Sequence, residues 1–162
     1  MTDYVISSER SLLDIDFLVR SLQSTYWAAT RTREVIIESL SSSLCFGAYV
    51  VDTKQQVGFA RVVTDGATFS WLCDVFVDSE HRSRGLGKRL VAEIIEHPKV
   101  KVGSVFLGTK DAHGLYEKFG FSRWELMRRL SIQPNKALEP TTMSVTHPAC
   151  AGCAPDTVAA HL

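Results

Sequence analysis

Two glycines and two arginines stand together in residues 82–87, which read Arg-Ser-Arg-Gly-Leu-Gly. The apolar, strand-like stretch 69–77 precedes them, and the helical pattern 86–97 follows. A glycine turn between a strand and a helix N-terminus exposes backbone N–H groups at the positive end of the helix dipole. With arginines beside it, such a turn predicts a site for an anion, in particular a phosphate.

The better-known phosphate loops do not fit this spacing. A P-loop needs glycine where Arg82 stands and a hydroxyl residue where Arg89 stands. A dinucleotide-binding fingerprint that starts at Gly85 needs a third glycine where Leu90 stands. What remains is Arg-x-x-Gly-x-Gly, or an ordinary glycine-rich turn with surface arginines.

A second pattern follows in residues 109–121, which read Thr-Lys-Asp-Ala-His-Gly-Leu-Tyr-Glu-Lys-Phe-Gly-Phe. It predicts a short helix over residues 112–119, ended by Gly120. Leu115 and Phe119 fit the buried face of that helix, whereas Tyr116 is offset from them. The packing pattern alone assigns no role to Tyr116.

Both patterns, in this order, resemble those of the GNAT family of N-acetyltransferases. The first resembles the family's loop for the pyrophosphate of acetyl-CoA, and the second its last helix, with Ala-x-x-Leu-Tyr-Glu-Lys-x-Gly-Phe. The resemblance covers residues 3–132 and implies an acyl-CoA N-acyltransferase fold. It also implies direct transfer of acetyl from acetyl-CoA to a small-molecule amine, with no metal and no covalent enzyme intermediate. A protein or peptide acceptor, or an acyl-CoA sensor without catalysis, is the alternative.

The resemblance assigns site residues to three segments. The strand backbone before the loop is expected to pair with pantetheine and polarise the carbonyl, and Tyr116 is expected to protonate the departing thiolate. Thr109 stands where the family often has asparagine. The expected acetyl-CoA residues are Val75, Phe76, Val77, Arg82, Arg84, Gly85, Leu86, Gly87, Lys88, Thr109, Ala112 and Tyr116.

The general base is left open by the sequence. The family often places it at positions that correspond here to Trp71 and Cys73, and neither is a base. Asp74 is the carboxylate of that run, but strand alternation puts it on the other sheet face unless a bulge intervenes. Asp74 is therefore either a base or a structural partner of backbone or arginine. A water chain or a neutral amine would make a base unnecessary.

Candidate acceptor-site residues are aromatic. Tyr26 and Trp27 lie between the first two predicted helices, and Tyr49 and Trp71 lie on predicted strands. Aromatic side chains suit a cationic amine, whereas Arg61 would suit an acceptor with a carboxylate. Core or surface roles are the alternative for each residue.

Composition supports one globular domain and gives no argument for a nucleic-acid or membrane partner. The chain has 162 residues with zero formal net charge, which gives no electrostatic argument for nucleic acid or an anionic membrane. Without a signal-peptide pattern or a membrane-length apolar run, a cytoplasmic protein is expected. Cys45 and Cys73 are expected to be buried thiols. The oligomeric state, monomer or homodimer, is left open.

The order of predicted elements gives the fold class. One strand, two helices and three antiparallel strands precede the glycine loop, and a helix, a strand and a short helix follow it. Residues 121–132 are expected to add a strand or two. Strand–helix–strand connections imply parallel pairing after the loop. We therefore predict an α/β (α+β) fold with a mixed, mostly antiparallel central sheet flanked by helices.

Residues 133–162 differ in composition from the predicted domain, residues 1–132. They are rich in Pro, Thr and Ala with few charges, which predicts a disordered tail. Residues 135–141 resemble the tails of cassette-encoded bacterial proteins. His147, Cys150, Cys153 and His161 offer zinc ligands, but their short spacing and the lack of a hydrophobic framework favour no metal.

Overall fold

The structure is a computed structural model that describes residues 2–129. Residues up to Arg123 form one compact unit, and residues 124–129 belong to a second unit. The strands are β1 (Tyr4–Ser7), β2 (Leu44–Val50), β3 (Gln56–Thr64), β4 (Phe69–Val77) and β5 (Ser104–Leu107). The α-helices are α1 (Ile15–Gln23), α2 (Arg33–Ser41), α3 (Leu86–Glu96) and α4 (His113–Tyr116). Single 3-10 turns cover Arg10–Leu12, Ser79–His81 and Glu117–Phe119.

The five strands form one sheet in the order β1-β2-β3-β4-β5. The first three pairings are antiparallel, and β4 pairs with β5 in parallel. The parallel pair is joined through α3, because parallel neighbours need a crossover connection. The mixed, mostly antiparallel sheet predicted from the sequence is confirmed.

Helix starts follow capping side chains more closely than hydrophobic periodicity. The Asp14 carboxylate accepts a hydrogen bond from the Phe17 amide, and Thr32 accepts one from Val35. Each satisfies an N–H group that the first helical turn leaves unpaired. The first α-helix therefore starts at Ile15, after a separate 3-10 turn.

Two helical layers cover the sheet. On one face α3 buries Leu90, Val91 and Ile94 against Phe46 and Leu72. On the other face lie α1 and α2, with Leu18 and Leu40 packed against Cys45 and Phe59. Because side chains alternate along a strand, odd-numbered β2 residues point to α1 and α2, and even-numbered ones to α3.

The end of the described chain differs from expectation. Residues 121–129 contain no strand, because a strand needs a hydrogen-bonded neighbour and this segment pairs with none among residues 2–129. The expected tail, with its four candidate zinc ligands, lies outside the described residues. No helix within residues 2–129 is long and apolar enough to cross a membrane.

Candidate active site

A gap opens in the sheet where β4 extends beyond the end of β5. The two strands pair only over Phe69–Leu72 of β4, opposite Ser104–Leu107. β4 continues to Val77 with β3 on one side and no β5 partner on the other. Within residues 2–129 the backbone of residues 73–77 therefore presents a free strand edge, to which an extended ligand can add by main-chain hydrogen bonds. The predicted segment Val75, Phe76 and Val77 lies on this edge.

A β-bulge interrupts the same stretch of β4. Phe59 pairs with Phe76, but Arg61 pairs with Cys73, so Asp74 and Val75 together lie opposite one β3 residue. Asp74 has φ 55°, in the left-handed region, where a bulge commonly places a residue. The extra residue turns Asp74 to the sheet face of Cys73 and Arg61, which is the face covered by α1 and α2.

Two arginines hold the Asp74 carboxylate, which is 1% exposed. Arg31 Nη1 donates to both carboxylate oxygens at 2.9 Å, and Arg61 Nε donates to Oδ2 at 2.6 Å. Arg61 Nη1 also donates to the Ser43 hydroxyl at 3.1 Å. Arg31 was missed in the sequence because it lies 43 residues from Asp74 in no recognisable motif. Only the bulge brings the two together.

The glycine loop ends in unpaired amides. Ser83 has φ 60° and Gly85 has φ 78°, and Gly85 begins α3 without a capping side chain. The first helical hydrogen bond runs from the Arg89 amide to the Gly85 carbonyl. Within residues 2–129 nothing accepts from the amides between these two residues. A Cβ at Gly85 would meet no atom within 4 Å. The open space and free N–H groups fit a phosphate.

The side chains of the loop are not all directed to a ligand. Arg82 Nε donates to the Val77 carbonyl at 2.9 Å, which ties the loop to the end of β4. Arg84 Nη1 donates to the Tyr4 and Thr2 hydroxyls, each at 3.3 Å. Leu86 is buried in the core, so only its backbone faces the loop. Gly87 and Lys88 follow it in the first turn of α3.

Tyr116 lies on α4 with a buried ring and a hydroxyl that is not fully buried. Its side chain packs against Phe121, with ring centroids 5.8 Å apart. The hydroxyl makes no hydrogen bond within residues 2–129, and part of its surface remains exposed to solvent. Burial, then the nearby Asp111 and Tyr26, raises the pKa of Tyr116 to about 12. The phenol therefore holds its proton at neutral pH.

The start of α4 carries the other two predicted acetyl-CoA residues. The Thr109 hydroxyl accepts a hydrogen bond from the Ala112 amide at 3.0 Å. This contact fixes the turn that leads from β5 into α4. Ala112 is half-buried and packs against the core cluster beneath α3.

Three of the four predicted acceptor residues lie near the gap. Tyr26 and Trp27 form an edge-to-face pair at 4.8 Å, and Lys110 Nζ lies 4.9 Å from the Tyr26 ring centroid. Tyr26 is also close enough to Tyr116 to affect its pKa. Trp71 is half-buried and lies beside Gly108, the residue after β5.

Tyr49 does not reach the gap. It is 4% exposed, and its hydroxyl is buried without a hydrogen-bond partner within residues 2–129. A Cβ at Gly47 would overlap the Tyr49 ring, so the ring lies over that glycine. Burial raises the pKa of Tyr49 to about 12. Its side chain belongs to the core on the α1–α2 face. Strand alternation predicts the sheet face on which Tyr49 lies, but not whether that position is in the core or in a cleft.

No three His, Cys, Asp or Glu side chains within residues 2–129 are grouped so that they could hold a metal ion. Cys73 lies beside Asp74, and burial raises the pKa of its thiol to about 11. The thiol is therefore protonated at neutral pH.

Known proteins resemble this chain in sequence and in fold. A family model described as the acetyltransferase (GNAT) domain matches residues 42–123. A crystal structure of a candidate GNAT-family acetyltransferase from Xanthomonas campestris has a TM-score of 0.76 and 40% sequence identity. That comparison covers 81% of this chain and 95% of the other.

Two further relatives are more distant. A candidate acetyltransferase of Gibberella zeae is 32% identical over 104 residues, 53% of this chain and 59% of the relative. The chain thus spans about three fifths of that curated protein. Glucosamine-6-phosphate N-acetyltransferase from Arabidopsis thaliana shares the fold, with TM-score 0.59, 18% identity, and coverage of 81% and 99%. Since the family model matches half of the sequence and a GNAT structure matches most of the fold, the chain belongs to the GNAT family of acetyltransferases.

Proposed function

We propose that this protein is an acetyl-CoA-dependent N-acetyltransferase that acts on a small-molecule amine. The observation that carries the proposal is the gap between β4 and β5. A free strand edge begins there at Cys73, and Tyr116 follows β5 on the other side. The glycine loop begins shortly after β4 ends at Val77. One extended ligand can contact all three features.

Acetyl-CoA would supply a thioester whose acetyl group is transferred to the amine. We assign its pyrophosphate to the amides of residues 84–88, because these N–H groups donate to no group in the described part of the chain and lie at a helix N-terminus. We assign its pantetheine to the free edge of residues 75–77. Thr109 and Ala112, which follow β5, are assigned to the wall of the gap opposite the free edge of β4. Arg82 shapes the loop through Val77, and Arg84 supplies auxiliary charge.

Tyr116 is proposed as the proton donor to the departing sulfur. A pKa of about 12 keeps the phenol protonated over the physiological range, so its hydroxyl carries the proton that a departing thiolate needs. Backbone N–H groups of the β4 edge are the proposed donors to the acetyl carbonyl. The raised pKa of Cys73 argues against a thiolate nucleophile, which supports direct transfer.

Asp74 is proposed as a positioning residue and not as the general base. Both of its oxygens accept hydrogen bonds from Arg31 or Arg61, so neither is free to take a proton from an amine. The proton lost by the amine passes to water in this proposal. The amine arrives neutral or loses its proton through an ordered water, and Tyr116 regains from water the proton that it gives to the thiolate.

The loop of residues 24–31 supports a small acceptor. It is held at one end by the contact of Tyr26 with Lys110 and at the other by the contact of Arg31 with Asp74. A segment anchored on both sides of the gap favours an enclosed pocket over an open groove for a protein. The Arabidopsis enzyme, whose name specifies a sugar phosphate, illustrates that the fold accommodates a small acceptor.

The test is acetyl-CoA binding by calorimetry together with thiol release from acetyl-CoA over a panel of amines and peptides. Binding with amine-dependent release for small amines supports the proposal. Binding without release for any amine would favour the alternative, an acyl-CoA sensor. Release with peptides alone would identify a protein-modifying enzyme, and absence of binding would refute both readings.

A further inference from the structure

We infer that the amine acceptor carries a carboxylate and that Arg31 binds it. This inference rests on the proposed function, because it names the class of acceptor for the same site. It arises from the group formed by Arg31, Asp74 and Arg61, which the sequence motifs do not include. Of these three, Arg31 has the most exposed side chain, at 27%, against 12% for Arg61 and 1% for Asp74.

Arg31 has unused donors in a suitable arrangement. Only its Nη1 group contacts Asp74, with 2.9 Å to each carboxylate oxygen. Nε and Nη2 donate to no group within residues 2–129, and together they form the side-on edge of the guanidinium. Two parallel N–H groups on that edge match the two oxygens of a planar carboxylate. The Asp74 contact thus orients the guanidinium and leaves its second binding edge free.

The local charge also favours an anion. Two guanidinium groups share the single carboxylate of Asp74, which leaves one positive charge in excess beside a buried group. Two further charged side chains near the gap, Lys110 and Asp111, have opposite signs and are both exposed. This excess positive charge attracts an anionic group and disfavours a second cation.

Arg31 is held at the wall of the gap. The Gln23 side-chain amide donates to the Arg31 carbonyl at 2.9 Å, which ties the backbone to the end of α1. Asp74 follows Cys73, where the free edge of β4 begins. At the other end of the same loop, Tyr26 is near Tyr116. An acceptor between these two ends would have its amine near the proposed proton donor and its carboxylate within reach of Arg31.

Arg33 provides a matched comparison two residues away. Its Nη1 donates to Asp16 at 2.7 Å, but both side chains are exposed, at 49% for Arg33 and 67% for Asp16. Substitution of Arg33 removes the same charge from the same region of sequence without affecting the group around Asp74.

The experiment compares amines that differ only in the anionic group. Each amino acid is assayed beside its primary amide, its decarboxylated amine and the corresponding aminoalkyl phosphonate, and binding of each is measured with CoA present. We expect kcat/KM for the carboxylate form to exceed that for the amide at least tenfold. In Arg31→Gln this ratio should fall to near one, whereas Arg33→Gln should keep it. Arg31→Lys should give an intermediate ratio, because lysine retains the positive charge but lacks the two parallel N–H donors of the guanidinium.

Each outcome bears on a different claim. Equal kcat/KM for acid and amide in the wild type would overturn the carboxylate inference and leave the proposed function standing. A preference for the phosphonate would also overturn it. Acetyl transfer to none of the amines would contradict the proposed function, and the calorimetric preference for carboxylate over amide would then decide the inference alone. If Arg31→Gln does not fold, the acid-to-amide ratios of kcat/KM in the wild type and in Arg31→Lys still test the carboxylate inference.

Discussion

Two tyrosines with the same pKa have different surroundings. Burial raises the pKa of both Tyr49 and Tyr116 to about 12. The Tyr49 hydroxyl is fully buried and unpaired within residues 2–129, whereas that of Tyr116 is not fully buried. A raised pKa therefore marks burial in both cases, and of the two hydroxyls only that of Tyr116, which is not fully buried, fits a proton donor to a ligand.

Tyr49→Phe should stabilise the protein at pH 7 by about 1 kcal/mol, because it removes a buried hydroxyl that gains no hydrogen bond. The difference should widen above pH 10. The unfolded phenol ionises near pH 10 and the folded one near 12, so the wild type loses stability as pH rises through this window. Urea unfolding at pH 7 and pH 11 measures both effects. A loss of stability in Tyr49→Phe at pH 7 would indicate a hydrogen bond to that hydroxyl.

The residues of the site differ in how far the sequence reveals them. Gly85 and Tyr116 stand in local patterns, where a turn or one helical turn fixes the geometry. The environment of Asp74 depends on a one-residue bulge and on Arg31 from a distant loop. Strand alternation cannot reveal a bulge, since the bulge is the exception to that alternation. From the sequence, pairing with an arginine was therefore only one of several possible roles for Asp74.

At the scale of elements, the bulge in β4 is stabilised by the buried carboxylate at its centre. Asp74→Asn should destabilise the fold on the order of 3 kcal/mol, because two guanidinium groups lose the charge that compensates them. Asp16→Asn removes an equivalent partner from the exposed Arg33 pair and should cost at most about 1 kcal/mol. Denaturant unfolding of the two variants gives the comparison, and equal losses would contradict the structural importance of the bulge.

Alanine substitution of Gly85 in the glycine loop can be compared with that of Gly120, because both glycines have a similar positive φ. Gly85 and Gly120 have φ 78° and 81°, and a Cβ at either would meet no atom within 4 Å. Alanine at each site should therefore cost a similar 1 to 2 kcal/mol, roughly, in folding stability. Only Gly85→Ala should also weaken acetyl-CoA binding, by at least fivefold in calorimetry. Equal affinities in the two variants would count against the loop as the pyrophosphate site.

At the scale of the whole molecule, the element order was enough to predict the fold. The apolar pattern of β2 to β4 and the single helix between β4 and β5 required a mixed sheet. The end of the domain was harder to predict. Residues 121–129 have apolar residues compatible with a strand, but a strand also needs an available edge, and a sequence pattern does not specify one.

The domain boundary at residue 132 remains a prediction. A chain that ends after residue 132 should keep the acetyl-CoA affinity of the full chain within twofold, because all the residues that we assign to the cosubstrate precede it. Calorimetry on the two proteins makes the comparison, with zinc content measured beside it. A tenfold loss of affinity, or zinc bound near one equivalent by the full chain alone, would give residues 133–162 a role.

The central claim is that Tyr116 donates a proton during acetyl transfer, and one measurement tests it most directly. The rate of thiol release from acetyl-CoA is compared between the wild type and Tyr116→Phe at saturating amine, with acetyl-CoA affinity measured in parallel. We predict that kcat falls about a hundredfold or more, as expected for loss of a general acid, while acetyl-CoA affinity changes less than twofold. An unchanged kcat in a variant that still binds acetyl-CoA would contradict the account.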